Sequence, residues 1–185
     1  MKDLILDELR DNMEEGIRSF ERSLNKVRTG RASLSLLDGI KVDYYGTPTP
    51  INQVATLSTP ESRLILISPW DKNAIGYIEK AIQKSDLGLM PGNDGNVVRI
   101  AIPPLTEESR KEIVKAVKKM GEESRIRLRN ARRDTNNQFK TLQKDSEISE
   151  DDLYTYQDEV QKVTDKYMKK IDTIVAAKEK EIMEI

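Results

Sequence analysis

Apolar residues recur at helical spacing in three stretches of the chain. Leu6, Leu9, Met13, Ile17, Phe20, Leu24 and Val27 lie three or four apart, which places them on one face of a helix near 3–29. Ile113, Val117, Met120, Leu128 and Ala131 repeat the pattern, with Ser124 and Thr135 diluting the same face. Thr106 ahead of Glu107 and Glu108 can cap that helix, predicted near 106–145. The third stripe is Leu153, Tyr156, Val160, Val163, Tyr167, Ile171 and Ile174. It follows Ser149-Glu150-Asp151-Asp152, a capping-box pattern, and predicts a helix near 150–184 after a break at Asp145-Ser146. At about 1.5 Å per residue the second helix is roughly 60 Å long. Three amphipathic helices can bury their stripes only on one another or on a partner, so an up-down-up three-helix bundle is expected.

The middle of the chain breaks this period. All seven prolines lie between Pro48 and Pro104, and apart from Gly16 and Gly121 every glycine lies between Gly30 and Gly95. Proline and glycine interrupt helices, so the middle is read as a turn-rich module inserted into a helical one. Strands are predicted at Ile40–Tyr45, Val54–Leu57, Arg63–Ser68 and Val97–Ile102, with turns at Gly46-Thr47-Pro48-Thr49-Pro50 and Asn93-Asp94-Gly95-Asn96. Asp71–Lys84 reads as a helix with Ala74, Ile78, Ala81 and Ile82 inward. Trp70 is expected in its core or as its lid, and of Tyr44 and Tyr45 one should face in and one out. The fold class is therefore α+β in two domains. Residues 1–29 and 105–185 form the bundle, and 30–104 form the inserted β/α/β domain. The hinges are expected at Thr29, Gly30 and Arg31, and at Pro103, Pro104 and Leu105. Glycine can bend there, and the proline pair is stiff.

Composition narrows the chemistry. The 185 residues contain neither cysteine nor histidine. Disulfides, thiolate or imidazole metal ligands, cysteine nucleophiles and histidine-based triads are excluded. No phosphate-binding glycine loop occurs, and no nucleophile, base and orienting group can be connected. The expectation is no enzyme, no catalytic residue, no metal and no cofactor. No apolar run approaches the length of a membrane span, and the start is too acidic for a signal peptide. A soluble, cytoplasmic monomer is expected.

Net charge is only −1, but the charge is unevenly placed. Basic residues crowd the second helix. At about 100° per residue, Lys111, Lys118, Arg125, Arg129 and Arg132 fall within one arc of roughly 60°. Lys111 has Glu107 and Arg125 has Glu122 one turn away. Arg129 and Arg132 have no acid at i±3 or i±4 and sit among other arginines, which is unfavourable. Two balances are open. One is the acidic start of the first helix, with Asp7, Glu8, Asp11 and Glu15. The other is a nucleic-acid backbone, whose phosphates suit arginine's planar fork. In the bundle Arg28, Arg31 and Arg110 should share the hinge end, where Arg28 could cap carbonyls of the first helix or meet phosphate.

Several motifs along the whole chain carry a resemblance. They are Val27-Arg28-Thr29-Gly30-Arg31-Ala32, Leu37-Asp38-Gly39-Ile40, Tyr44-Tyr45-Gly46-Thr47-Pro48-Thr49-Pro50 and Pro69-Trp70-Asp71-Lys72. Asp86-Leu87-Gly88-Leu89, Asn93-Asp94-Gly95, Ile102-Pro103-Pro104-Leu105-Thr106-Glu107-Glu108 and Arg129-Asn130-Ala131-Arg132-Arg133-Asp134 follow. In this order they resemble the ribosome recycling factor family of bacteria. The resemblance implies an L-shaped, hinged molecule. It implies binding to the post-termination ribosome across the A and P sites, with contact to large-subunit ribosomal RNA. Splitting into subunits would follow with elongation factor G and GTP, that factor facing the small domain. The RNA-contact residues it carries over are Arg28, Gly30, Arg31, Arg110, Arg129 and Arg132. Lys118 and Arg125 join them from the basic arc, and Arg133 from the last motif. The chain departs from the expected family pattern at Leu34, Ser109 and Thr135. A coiled-coil adaptor, indifferent to RNA, and a general binder of structured RNA remain the competing readings.

Overall fold

The computed structural model describes residues Met1–Glu184. The chain divides into two compact units, Met1–Leu24 with Lys111–Glu184, and Asn25–Arg110. Residues 25–29 and 105–110 thus group with the smaller unit, five residues before one boundary read from sequence and six after the other.

The larger unit is built from α1 (Lys2–Asn25) and most of α3 (Glu107–Lys144), with α4 (Glu150–Met183). Lys2 reaches Glu159 and Glu14 reaches Lys170, so α1 and α4 run parallel. Lys118, Arg125 and Arg132 meet Glu179, Asp172 and Gln161, so α3 runs antiparallel to α4. The bundle is up-down-up. Leu6, Leu9, Met13, Ile17, Phe20 and Leu24 of α1 are all buried. The other two seams keep Val117, Ser124, Leu128 and Thr135 on α3 and Val160, Tyr167 and Ile171 on α4, and differ from the predicted stripes elsewhere. On α3 the buried positions are Val117, Gly121, Ser124, Leu128, Thr135 and Phe139, and Met120 and Ala131 are only half-buried. A Cβ at Gly121 would stand 2.7 Å from Val175 Cγ2, so the missing side chain lets α3 and α4 approach there. On α4, Thr164 and Val175 take the places expected for Val163 and Ile174. Buried Thr164 satisfies its hydroxyl on the Val160 carbonyl, 2.8 Å away.

The helix ends follow local chemistry. Ser109 N–H donates to Thr106 Oγ1, and Ser149 with Asp152 forms the full capping box. Ser146, at φ +60°, makes the break between α3 and α4. Helix α1 ends four residues before the predicted limit, where the Ser35 hydroxyl donates to the Asn25 carbonyl.

The smaller unit holds a hairpin of β1 (Lys41–Tyr44) and β2 (Thr47–Pro50), and a four-stranded antiparallel sheet. That sheet contains β3 (Ala55–Glu61), β4 (Leu64–Pro69), β5 (Pro91–Asn93) and β6 (Val98–Ala101), in the order β3-β4-β6-β5. Helix α2 (Ile75–Lys84) lies on one core with Ile75, Ile78 and Ile82 buried among Val42, Ile65, Ile67, Val98 and Ile100. A 3-10 turn, Lys72–Ala74, precedes α2 and is capped by Asp71. The sequence reading missed β2 and β5. Thr47-Pro48-Thr49-Pro50 is a strand, and the turn is confined to Tyr45 and Gly46, both at positive φ. With a two-residue turn, Tyr44 and Thr47 form a hydrogen-bonded pair. Pro48 and Pro50 then fall where no N–H is needed by the partner strand. Trp70 is neither core nor lid: it is 68% exposed. Tyr44 is half-buried and Tyr45 exposed, yet both hydroxyls reach one carboxylate, Asp71 Oδ2. Strand alternation fails there because the turn begins at Tyr45.

Candidate RNA-binding face and connecting segments

The basic arc lies on the flank of α3 that faces α4, and each member meets a different environment. Lys118 is 3.8 Å from Glu179. Arg125 forks onto Asp172 Oδ1 through Nε and Nη2, at 3.1 and 2.6 Å, and also reaches Glu122. The Asp172 hydrogen bonds raise the guanidinium pKa further, against the desolvation that would lower it. Arg129 pairs with Glu122 at 2.8 Å, two turns back. Hydrogen bonding from Arg129 holds the Glu122 carboxyl below the ordinary glutamate range. Among the described residues no ion pair joins the acidic start of the first helix to the arc members Lys118, Arg125, Arg129 or Arg132. Glu15 pairs with Arg22, Asp7 with Arg10 and Glu14 with Lys170. The acids come instead from α4 and from Glu122, since in this packing α3 turns its basic flank to α4.

Arg132 is different. It is half-buried and its Nη1 donates to the neutral Gln161 Oε1 at 3.2 Å. Among the described residues no carboxylate stands within ion-pair distance of it. Gln161 in turn is oriented by donating to Asp165 Oδ1 at 2.8 Å. Arg132 is thus positioned without being neutralised. Arg133 is exposed, with its nearest acid Asp134 3.8 Å away.

Arg28, Gly30, Arg31 and Arg110 all belong to the smaller unit. Arg28 does not cap α1. Its Nη2 lies 3.5 Å from the Asp86 carbonyl oxygen, beside Gly88, and among the described residues no carboxylate pairs with it. Arg31 is exposed, and Arg110 is half-buried with a buried Nε that no acceptor meets. Thr29 and Gly30 are buried. Gly30 takes φ +80° against Leu105, while Pro103 and Pro104 are exposed.

One turn gathers both connections. Ala32 N–H donates to the Ser62 carbonyl at 2.7 Å, and Ile102 N–H donates to the Arg63 carbonyl at 2.8 Å. Ser62 and Arg63 join β3 to β4. The sequence reading had no signal for this bracket, because the bonds are backbone to backbone and carry no residue preference.

Among the described residues no group of three acidic side chains is placed to hold a metal ion. No helix among them is long and apolar enough to cross a membrane.

A profile of the family described as "Ribosome recycling factor" matches residues 20–183. The chain is 67% identical to the ribosome-recycling factor of Syntrophus aciditrophicus over 185 residues, the whole of both chains. It is 54% identical to that of Bacillus pumilus over 181 residues, 98% of each. A solution structure of a ribosome recycling factor aligns with a TM-score of 0.80 at 41% identity, covering 100% of this chain and 98% of the other. A second structure has a TM-score of 0.68 and 43% identity, covering 99% of each chain. It comprises models for the T. thermophilus ribosome recycling factor and the E. coli elongation factor G bound to the E. coli post-termination complex.

Proposed function

The chain belongs to the ribosome recycling factor family, and on that premise we propose that it binds the post-termination ribosome and, with elongation factor G and GTP, splits it into subunits. The observation that carries the contact assignment is the basic row of α3, with Arg132 held by a neutral amide and left without a carboxylate. A guanidinium so held keeps its charge and its remaining donors for phosphate. The contact set is Arg28, Gly30, Arg31, Arg110, Lys118, Arg125, Arg129, Arg132 and Arg133, against large-subunit ribosomal RNA across the A and P sites. Lys118, Arg125 and Arg129 trade a carboxylate for a phosphate on binding, so each adds less net affinity than Arg132.

The protein makes and breaks no covalent bond in this scheme, and it is not an enzyme. It needs no cofactor of its own, because the GTP is hydrolysed by the elongation factor. Its part is to neutralise RNA phosphates, releasing counterions, and to pass force from the factor. Thr29, Gly30 and Arg31, with Pro103, Pro104 and Leu105, are the joints through which force passes. The inserted domain, residues 30–104, moves against the bundle of 1–29 and 105–185. It works as a monomer in the cytoplasm, where ribosomes are.

The test is light scattering from post-termination ribosomes mixed with this protein, elongation factor G and GTP, each omitted in turn. A fall in scattering that needs all three is expected. Binding to structured RNA of any kind with no fall would favour the general RNA binder, and self-association without RNA binding the adaptor.

A further inference from the structure

The most exposed aromatic surface of the smaller unit is built around Asp71. Trp70 is 68% exposed and Tyr45 67%. Neither is loose. Trp70 Nε1 donates to Thr56 Oγ1 at 3.0 Å, and its backbone N–H donates to the Val54 carbonyl. The Tyr45 hydroxyl donates to Asp71 Oδ2 at 2.8 Å, and its ring packs edge-on against Tyr44 with centroids 4.6 Å apart. Asp71 is fixed in turn by the Asn73 N–H on Oδ1. The polar atoms are satisfied inside the unit and the ring faces are left to solvent. Large rings held in place lose little entropy on docking, and tryptophan and tyrosine are the side chains that most often dominate a protein interface.

The surroundings select the kind of partner. Asp71 holds its carboxylate at the Tyr45 hydroxyl and repels phosphate, and residues 30–105 carry equal numbers of acids and bases. RNA is disfavoured. The neighbouring strand β2 carries Pro48 and Pro50, which lack the N–H groups that strand addition needs. A partner must therefore meet side chains, as a folded protein surface does. The assembly that holds a 43% identical relative places one such protein with it, elongation factor G.

We propose that Trp70 and Tyr45, locked by Thr56 and Asp71, are the anchor by which the smaller unit engages elongation factor G. The assignment rests on the recycling function proposed above. The test uses the full chain with Trp70→Ala and Tyr45→Ala, and Tyr45→Phe as a control that keeps the ring. Binding to ribosomes without the factor is measured beside splitting as a function of elongation factor G concentration. Trp70→Ala should bind ribosomes as the parent does and need at least ten-fold more factor for half-maximal splitting. Tyr45→Ala should shift in the same direction and Tyr45→Phe little. An unchanged factor requirement in Trp70→Ala overturns the anchor, and so does weakened ribosome binding in the absence of factor. A parent protein that splits no ribosomes overturns the recycling function, and the anchor with it. Thermal melting guards against a folding defect; if Trp70→Ala melts early, Trp70→Phe and Tyr45→Ala decide the question.

Discussion

Gly30 and Leu105 meet inside the smaller unit, each within six residues of its ends. Gly30 is at φ +80°, and a Cβ built there would lie 3.2 Å from Leu105 Cγ. Two separate penalties therefore face Gly30→Ala: the left-handed backbone, about 1–2 kcal/mol for an L-residue, and a leucine that must give way. Gly30→Ala should destabilise the protein by about that backbone cost or more. Adding Leu105→Ala relieves only the crowding, so the double variant stays below Leu105→Ala alone in chemical denaturation. Full recovery would show that the backbone is not strained.

Arg132 and Arg125 share a helix face but should part company in experiment. Arg132→Ala should leave stability within about 0.5 kcal/mol. It should lower large-subunit affinity by about 1–3 kcal/mol and reduce the slope of log K against log salt by about one. Arg125→Ala should cost more stability and less affinity, because it strips Asp172 and Glu122 of their partner. An Arg132→Ala variant with the parent's salt slope would falsify its phosphate contact.

Gly121→Ala sets two effects against each other. Alanine is the better helix former by about 1 kcal/mol. Its methyl would stand 2.7 Å from Val175 Cγ2, on a β-branched side chain with little rotamer freedom in a helix. Overpacking costs about 1–3 kcal/mol, so the substitution should lower the melting temperature, and Val175→Ala should restore part of the loss in the double variant. A more stable Gly121→Ala protein would mean that the helices shift apart freely.

The pH dependence has a definite sign. Lys170, with Tyr167, holds the Glu14 carboxyl below its ordinary range, Arg129 does so for Glu122, and the Ser149 hydroxyl for Asp152. A carboxylate with a depressed folded pKa contributes stability above its unfolded value and loses it as pH falls through the folded one. With no histidine in the chain, melting temperature should be nearly flat from about pH 6 to 8 and fall below about pH 4. Asp152→Asn should flatten part of the acid limb. A transition centred near pH 6 would contradict this assignment.

The bundle was legible because helical burial writes itself into spacing: every predicted apolar residue of α1 from Leu6 to Leu24 is buried. The seams of α3 and α4 were read slightly off because Gly121 and Thr164 carry no apolar signal, although both are buried. The β2 strand was hidden because prolines mark turns in a sequence and edge strands only in a register. Among the candidate residues the arc on α3 was visible from its period. Of its counter-charges Glu122 beside Arg125 was visible too, but Asp172 and Glu179 lie on another helix, and Glu122 lies seven residues from Arg129, beyond a one-turn search. Trp70 was misplaced for the plainest reason, that a lone tryptophan is usually buried.

The Ser62–Arg63 turn also bears on how the chain folds. Helix α1 is synthesised well before the α3 and α4 surfaces it packs on, with the smaller unit between them. If that unit were unfolded, joining α1 to α3 would close a loop of roughly eighty residues. Once it folds, Ala32 and Ile102 are pinned to adjacent residues, and the effective loop shrinks to about a dozen. The entropic saving is about 1.5 kcal/mol from loop length alone. Nucleating the insertion first therefore speeds assembly of the bundle, and substitutions that loosen the β3–β4 turn should slow the refolding of helices they never touch.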